Sequence, residues 1–254
     1  MKLDNDLYIV GSGGVGISHV SDSHVYLIDG HKEIGLIDTG CGFAGERIIQ
    51  NIRSEGFDLA RLKVIAITHS HWDHARGVAF IKRQADCRVG VHPGGVNMLE
   101  EELWRSRQVA EAGFASDPTN VDFTFSDDQL ITIGDYELKV LFTPGHSDDS
   151  VCFLVEMGGR RFAFTGDTLS GEGKLGITHA ETNFLNYRKA LEKLLKNKPD
   201  AILPGHGLFS LSHGYFYVAN AVEVLKQRWN GFLTGIPAFY PGWWLTQHRE
   251  LMLE

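Results

Sequence analysis

Within the six positions 69–74 the chain carries His69, His71, Asp73 and His74, in the run His69-Ser70-His71-Trp72-Asp73-His74. Neutral imidazole nitrogen and carboxylate oxygen are the usual donors for a borderline divalent ion, and three imidazoles beside a carboxylate suit that chemistry. His69 and His71 are two residues apart, so on an extended chain both side chains point the same way. The one-residue offset sends Asp73 and His74 elsewhere as the chain turns, and one short segment can serve two neighbouring metal positions. The alternatives are a histidine-rich loop without metal, or a helix start capped by Asp73. A cap uses one short polar residue and has no need of three histidines. The stretch leading in, Val64-Ile65-Ala66-Ile67-Thr68, is β-branched and aliphatic and reads as a buried strand.

H-x-H-x-D-H directly after a buried strand resembles the metallo-β-lactamase-fold superfamily, whose defining motif it is. The superfamily has five motifs in chain order, and each has a counterpart here. Asp38, in Leu36-Ile37-Asp38-Thr39-Gly40, matches the first, where the resemblance implies a buried carboxylate that fixes the metal-binding segment. Read alone, a turn aspartate at a strand end is the lesser alternative. His146 in Thr143-Pro144-Gly145-His146-Ser147, Asp167 in Thr165-Gly166-Asp167-Thr168, and His206 in Pro204-Gly205-His206-Gly207 match the third, fourth and fifth. All three share one local form: an apolar strand, a small or turn residue, then the ligand.

Carried over residue by residue, the resemblance implies one ion held by His69, His71 and His146. A second would be held by Asp73, His74 and His206, with Asp167 bridging the two. The expected cofactor is therefore a pair of divalent ions, zinc first, with iron or manganese open. No cysteine takes a ligand position, unlike the cysteine-bearing β-lactamase branch. The loops at 143–147 and 165–168 look like the glyoxalase II-like and lactonase-like branches. The expected reaction is attack on an ester, thioester or lactone by a metal-bridging hydroxide, two ions about 3.5–4 Å apart lowering the pKa of the shared water. Asp73 and Asp167 are expected to shuttle the proton to the leaving group. His179 is weighed evenly as a group polarising the substrate carbonyl or as a loop histidine. His19, His24 and His213 read as structural or surface residues, and Cys41 as a small buried residue. Two rivals share the motif: phosphodiester cleavage, and a mononuclear iron dioxygenase acting on persulfides.

These side chains need strands to deliver them. The patterns predict strands at 7–10, 24–30, 33–38, 64–68, 89–92, 129–133, 136–142, 150–156, 160–165 and 201–203. Helices are predicted at 44–54, 75–84, 96–112, 184–196 and 215–230. Strands arrive in groups with helices after them, which suits two sheets face to face with helices outside. That is an α/β fold, the four-layer αβ/βα sandwich the resemblance implies. Residues 1–214 are expected to form the catalytic domain, with 215–254 a helical, aromatic-rich extension of it. Gly11-Ser12-Gly13-Gly14-Val15-Gly16 contains G-x-G-x-x-G, but no helical pattern follows, so a flexible glycine loop is expected rather than a dinucleotide site.

A net charge of −8 argues against nucleic acid or an anionic membrane as partner, leaving a small-molecule substrate. Three scattered cysteines suggest no disulfide framework, and no run approaches the ~20 apolar residues of a membrane span. A cytoplasmic protein is expected, with a homodimer left open by the aromatic tail (Phe232, Phe239, Tyr240, Trp243, Trp244).

Overall fold

Two sheets face each other, and the alternation of residues along their strands builds every layer. The computed structural model describes residues 1–101, 117–176 and 182–233, with side chains as far as Lys226. The first sheet runs in chain order: β1 (Lys2–Asp4), β2 (Leu7–Gly11), β3 (Val25–Gly30), β4 (Glu33–Ile37), β5 (Leu62–Ala66), β6 (Arg88–Val91) and β7 (Phe123–Thr124). Pairing is antiparallel up to β4 and parallel beyond it. The second sheet comprises β8 (Leu130–Ile133), β9 (Tyr136–Phe142), β10 (Val151–Met157), β11 (Arg160–Gly166) and β12 (Ala201–Pro204). Its spatial order is β12-β11-β10-β9-β8, with β11 and β12 parallel.

Leu7, Ile9, Tyr26, Ile28 and Val64 of the first sheet meet Leu138, Val140, Phe153, Phe164 and Leu203 of the second in the inner core. Their strand neighbours Val10, Val25, Leu27, Leu36 and Ile65 turn the other way. They pack on Ile48, Ile49 and Ile52 of helix α1 (Gly45–Ser54) and on Val78 and Ile81 further along the chain. Outside the second sheet, Cys152, Leu154, Ala163 and Ile202 pack on Tyr187, Leu191 and Leu194, and on Val218, Ala221 and Leu225. The central strands of both sheets are buried on both faces, which is why they read as continuous apolar runs, while β8 alternates exposed and buried residues. Each isoleucine of α1 contributes about 1.5–3 kcal/mol by leaving water. The result is helix, sheet, sheet, helix: the four-layer sandwich expected.

The expected helix over 75–84 is two short helices, α2 (Trp72–Ala75) and α3 (Val78–Gln84), broken at Gly77. There the chain passes so close to the loop after β4 that a Cβ on Gly77 would lie 2.1 Å from the Thr39 carbonyl oxygen. Of the helix expected over 96–112, α4 (Val96–Glu100) is described. Helix α5 (Phe184–Lys196) begins where predicted, with the Asn183 side chain accepting from Asn186 N at 3.1 Å. The last helix, α6 (Gly214–Leu233), covers the one predicted over 215–230. β1 and β7 were not expected; at three and two residues they carry no readable alternation. His179 and residues 234–254, with the tail aromatics from Phe239 onward, lie outside the described residues. Among those described, no helix is long and apolar enough to cross a membrane.

Candidate metal centre

β5, β9, β11 and β12 end at one place, and the segments that leave them, with the short helix α2 after β5, supply every candidate ligand. His69, His71, Asp73 and His74 follow β5, His146 follows β9, Asp167 follows β11, and His206 follows β12. The seven residues divide into two groups. In one, His69 Nε2 and His146 Nε2 each lie 3.0 Å from His71 Nδ1. In the other, His206 Nε2 lies 2.9 Å from Asp73 Oδ2 and 3.2 Å from His74 Nε2. The Asp167 carboxylate reaches both, with Oδ1 at 3.3 Å from His74 Nε2 and Oδ2 at 3.6 Å from His146 Nε2.

Hydrogen bonds on the far side of two rings fix which nitrogen faces inward. His146 Nδ1 lies 2.6 Å from the Gly176 carbonyl, which can only accept, so Nδ1 carries the proton and Nε2 offers a lone pair. His74 Nδ1 meets Asp38 Oδ2 at 2.8 Å and turns its Nε2 inward in the same way. Asp167 Oδ1 is buried without a hydrogen-bond partner. Inward nitrogens packed against each other and an unmet buried carboxylate oxygen form a donor set for cations rather than a hydrogen-bond network. The donor atoms of His69, His71 and His146, of Asp73, His74 and His206, and of His69, His74 and Asp167 each fall within 4.8 Å of one another. The residues fit two divalent ions.

Electrostatics point the same way. Burial, with His74 and His71 beside it, holds His69 well below the usual histidine range. At His74 burial opposes the charge, but Asp167, Asp73 and Asp38 outweigh it and raise the ring well above that range. Burial also works against an ionised Asp167, yet His74, His69 and His206 hold that carboxyl well below its ordinary value. Asp73 is held down likewise, by His74 and His206 against the effect of burial. The centre keeps its carboxylates ionised and favours positive charge among them.

Asp38 occupies a left-handed conformation, φ 61°, at the end of β4. That backbone costs about 1–2 kcal/mol for a non-glycine residue. It aims the carboxylate across the centre: Thr68 N donates to Oδ1, and Thr68 Oγ1 donates to Oδ2, each at 2.8 Å. Asp38 thus ties the motif segment to His74, as the resemblance implied. Two supporting residues were not foreseen. Asp149, buried, accepts from Ser70 N at 2.8 Å and from Ser147 Oγ at 2.7 Å, joining the segment around His69 to the one around His146. Tyr187 donates its hydroxyl to the Thr168 carbonyl at 2.5 Å, with the Asp167 carbonyl at 3.2 Å. A tyrosine on a buried helix face needs a partner for its hydroxyl, and that was the one available signal.

Of the other histidines, His213 is exposed, and His19 packs edge-on against Phe43 at 5.0 Å. His24 is buried, where burial lowers its pKa. Cys41 is fully buried, and its thiol donates to Asp22 Oδ1 at 2.7 Å. Burial and that carboxylate push the thiol far up, so Cys41 is a packing residue and not a nucleophile. Beside Asp167 and His206 opens a cavity of about 250 Å³, walled by Ser170, Glu172, Lys174 and Leu175.

Residues 20–206 match the family model of the metallo-beta-lactamase superfamily, and the chain belongs to that superfamily. A Cronobacter sakazakii metallo-beta-lactamase with a HARLDQ motif superposes with a TM-score of 0.71 at 20% identity, covering 89% of this chain and 92% of that one. Rm3 metallo-beta-lactamase gives 0.67 at 19% identity, covering 89% and 91%. At such identities the likeness speaks for the fold. Among relatives in sequence, atrochrysone carboxyl ACP thioesterase of Aspergillus fumigatus is 26% identical over 196 residues, 77% of this chain and 54% of that protein. Beta-lactamase-like protein 2 homolog of Drosophila melanogaster is 31% identical over 194 residues, 73% and 58%. A probable hydroxyacylglutathione hydrolase of Schizosaccharomyces pombe is 26% identical over 147 residues, 57% and 48%. The chain spans about half the length of these three relatives.

Proposed function

We propose that this protein is a dinuclear metal-dependent hydrolase that cleaves an ester, thioester or lactone bond in a small-molecule substrate. The observation that carries the reading is the pair of donor groups sharing Asp167. A single-ion centre has no use for Asp73, His74 and His206 gathered beside a complete three-imidazole set. Five imidazoles and two carboxylates favour zinc over a hard, oxygen-seeking ion. The thioesterase and the hydroxyacylglutathione hydrolase among the relatives support the bond class. A net charge of −8 favours it over a phosphodiester in nucleic acid.

Bound in this centre, two zinc ions would supply a water of lowered pKa and a Lewis acid for the substrate carbonyl. The chain's own residues do the rest. His69, His71 and His146 would hold one ion and Asp73, His74 and His206 the other, while Asp38 and the Gly176 carbonyl keep the His74 and His146 rings turned inward. Asp73 and Asp167 stay ionised and remain partly open, their side chains 21% and 15% exposed. They can take the proton released by the attacking water and return it to the leaving group. The cavity beside Asp167 would receive the acyl portion, with Leu175 and the Lys174–Glu172 pair, 3.2 Å apart, at its wall.

Metal analysis of freshly purified protein, with turnover of lactones, thioesters and phosphodiesters measured alongside, tests this. Two zinc ions per chain, with ester-class turnover lost on chelation and restored by zinc, is the expected result. One iron per chain with oxygen uptake and no hydrolysis would overturn it. Turnover confined to phosphodiesters would overturn the bond class.

A further inference from the structure

We infer that His24 is a positioning residue for His206, and that Ser12 of the glycine loop holds His24 in place. This rests on the reading that Asp73, His74 and His206 together hold an ion. His206 differs from the other imidazoles in its exposure: its side chain is 47% exposed, against 0% for His74 and 2% for His146. Its ring hydrogen bonds, among the described residues, go to Asp73 and His74, which are members of the same group. Among the described residues no hydrogen bond from outside the group orients the ring, so its aim depends on the backbone of Gly205-His206-Gly207.

One residue holds two carbonyls of that turn, whose Gly205 N also donates to the Gly166 carbonyl at 2.7 Å. His24 N donates to the Gly205 carbonyl at 2.7 Å, and His24 Nε2 donates to the Gly207 carbonyl at 2.8 Å. The two carbonyls flanking His206 are therefore both held by His24. Since the Gly207 oxygen can only accept, the His24 proton sits on Nε2 and Nδ1 is an acceptor. Ser12 Oγ lies 2.7 Å from Nδ1 and donates its hydroxyl hydrogen there, while itself accepting from Val15 N at 2.9 Å. The chain of donors runs one way, from Val15 N through Ser12 and His24 to Gly207, and both side chains are buried.

This gives the glycine run a purpose other than phosphate binding. Gly13 lies so close to the returning chain that a Cβ there would sit 2.2 Å from the Val20 carbonyl oxygen. Gly13 N donates to the Asp22 carbonyl at 3.0 Å, and Ile17 N to the Ser12 carbonyl at 3.1 Å. The expected flexible loop is folded on itself, and its product is a buried serine hydroxyl aimed at His24.

The test uses the full chain as wild type, His24→Leu, His24→Gln and Ser12→Ala. Zinc is titrated against a chelating competitor so that the two ions are resolved, and the metal-free melting temperature is taken for each. Loss of an outer partner of a ligand costs about 10–100-fold in metal affinity. His24→Leu should weaken one ion by that factor and leave the other at its wild-type affinity. His24→Gln, whose amide can still donate to Gly207, should recover part of the loss, and Ser12→Ala should fall between. Should His24→Leu fail to fold, Ser12→Ala, which removes one hydroxyl, decides the matter. Both ions held at wild-type affinity, or both weakened alike in step with the melting temperature, would overturn the inference. A wild-type protein that takes a single ion would instead sink the two-ion reading on which it rests.

Discussion

The two halves of the centre are built by different means. His69, His71 and His146 are supported by side-chain and loop partners: Thr68 Oγ1 lies 3.1 Å from His69 Nδ1, and the Gly176 carbonyl holds His146. His69 and His146 are almost completely buried. Asp73, His74 and His206 have one sealed member, His74, and two that are partly open to solvent. His206 rides on a glycine turn whose carbonyls are held by His24. The first group is preorganised by packing, and the second is the more open to solvent. An ion in the second group should therefore exchange faster and carry the contact with substrate.

The largest effect is expected where the two halves join. Asp167→Asn removes the charge that both groups share, and turnover should fall about 10²–10⁴-fold, with metal lost from both positions. Full metal content with full turnover would remove Asp167 from its role, as measured by kcat/KM and metal per chain. Next come the paired variants His69→Ala and His206→Ala. The first opens a hole in a buried wall and should cost about 1–3 kcal/mol of stability along with its ion. The second lies half in water and should lose its ion with almost no change in melting temperature. Equal thermal shifts would erase the distinction between the groups.

Gly205→Ala sharpens it further. A Cβ there would lie 2.3 Å from His74 Cε1 and 2.6 Å from Asp167 Oδ1, so the turn must move away from the second group. Overpacking of this kind costs about 1–3 kcal/mol. The ion held by Asp73, His74 and His206 should weaken before the other, which a chelator titration followed ion by ion would show. Uniform weakening would mean that the turn supports the whole centre.

Much of this was legible in the chain because it is local. H-x-H-x-D-H lies within six residues, and the other ligands stand one to four positions beyond an apolar strand. The layers followed because strands buried on both faces leave unbroken apolar runs. What escaped was non-local. Asp149 meets Ser70 across 79 positions and His24 meets Gly207 across 183, separations at which no periodicity operates. His24 read as one more structural histidine because its meaning lies in two carbonyls that flank a distant ligand. β1 and β7 escaped for the opposite reason, being too short for any period to show.

The smallest expected effect concerns the tether beneath the first group. Lys193 Nζ donates to Asp127 Oδ2 at 2.6 Å and to the Phe142 carbonyl at 2.8 Å, while Phe142 N donates to Asp127 Oδ1 at 2.8 Å. These bonds fasten α5, which carries Tyr187, to the end of β9, from which His146 departs. Burial works against an ionised Asp127, but Lys193 and the Phe142 N–H outweigh it and hold the carboxyl below its ordinary value. Its folded pKa is thus below the unfolded one, about 3.9. The stability it contributes is complete above that value and is lost as pH falls through the folded pKa. Asp127 and Lys193 side chains are 42% and 33% exposed, so solvent screening limits the contribution to about 0.2–1 kcal/mol. Asp127→Asn should lower the melting temperature slightly at neutral pH and converge on wild type in acid, and high salt should shrink the gap. A gap constant across pH would assign Asp127 a packing role rather than a charged one. A loss of zinc from the His69, His71 and His146 group in this variant would show that packing alone does not hold the buried half.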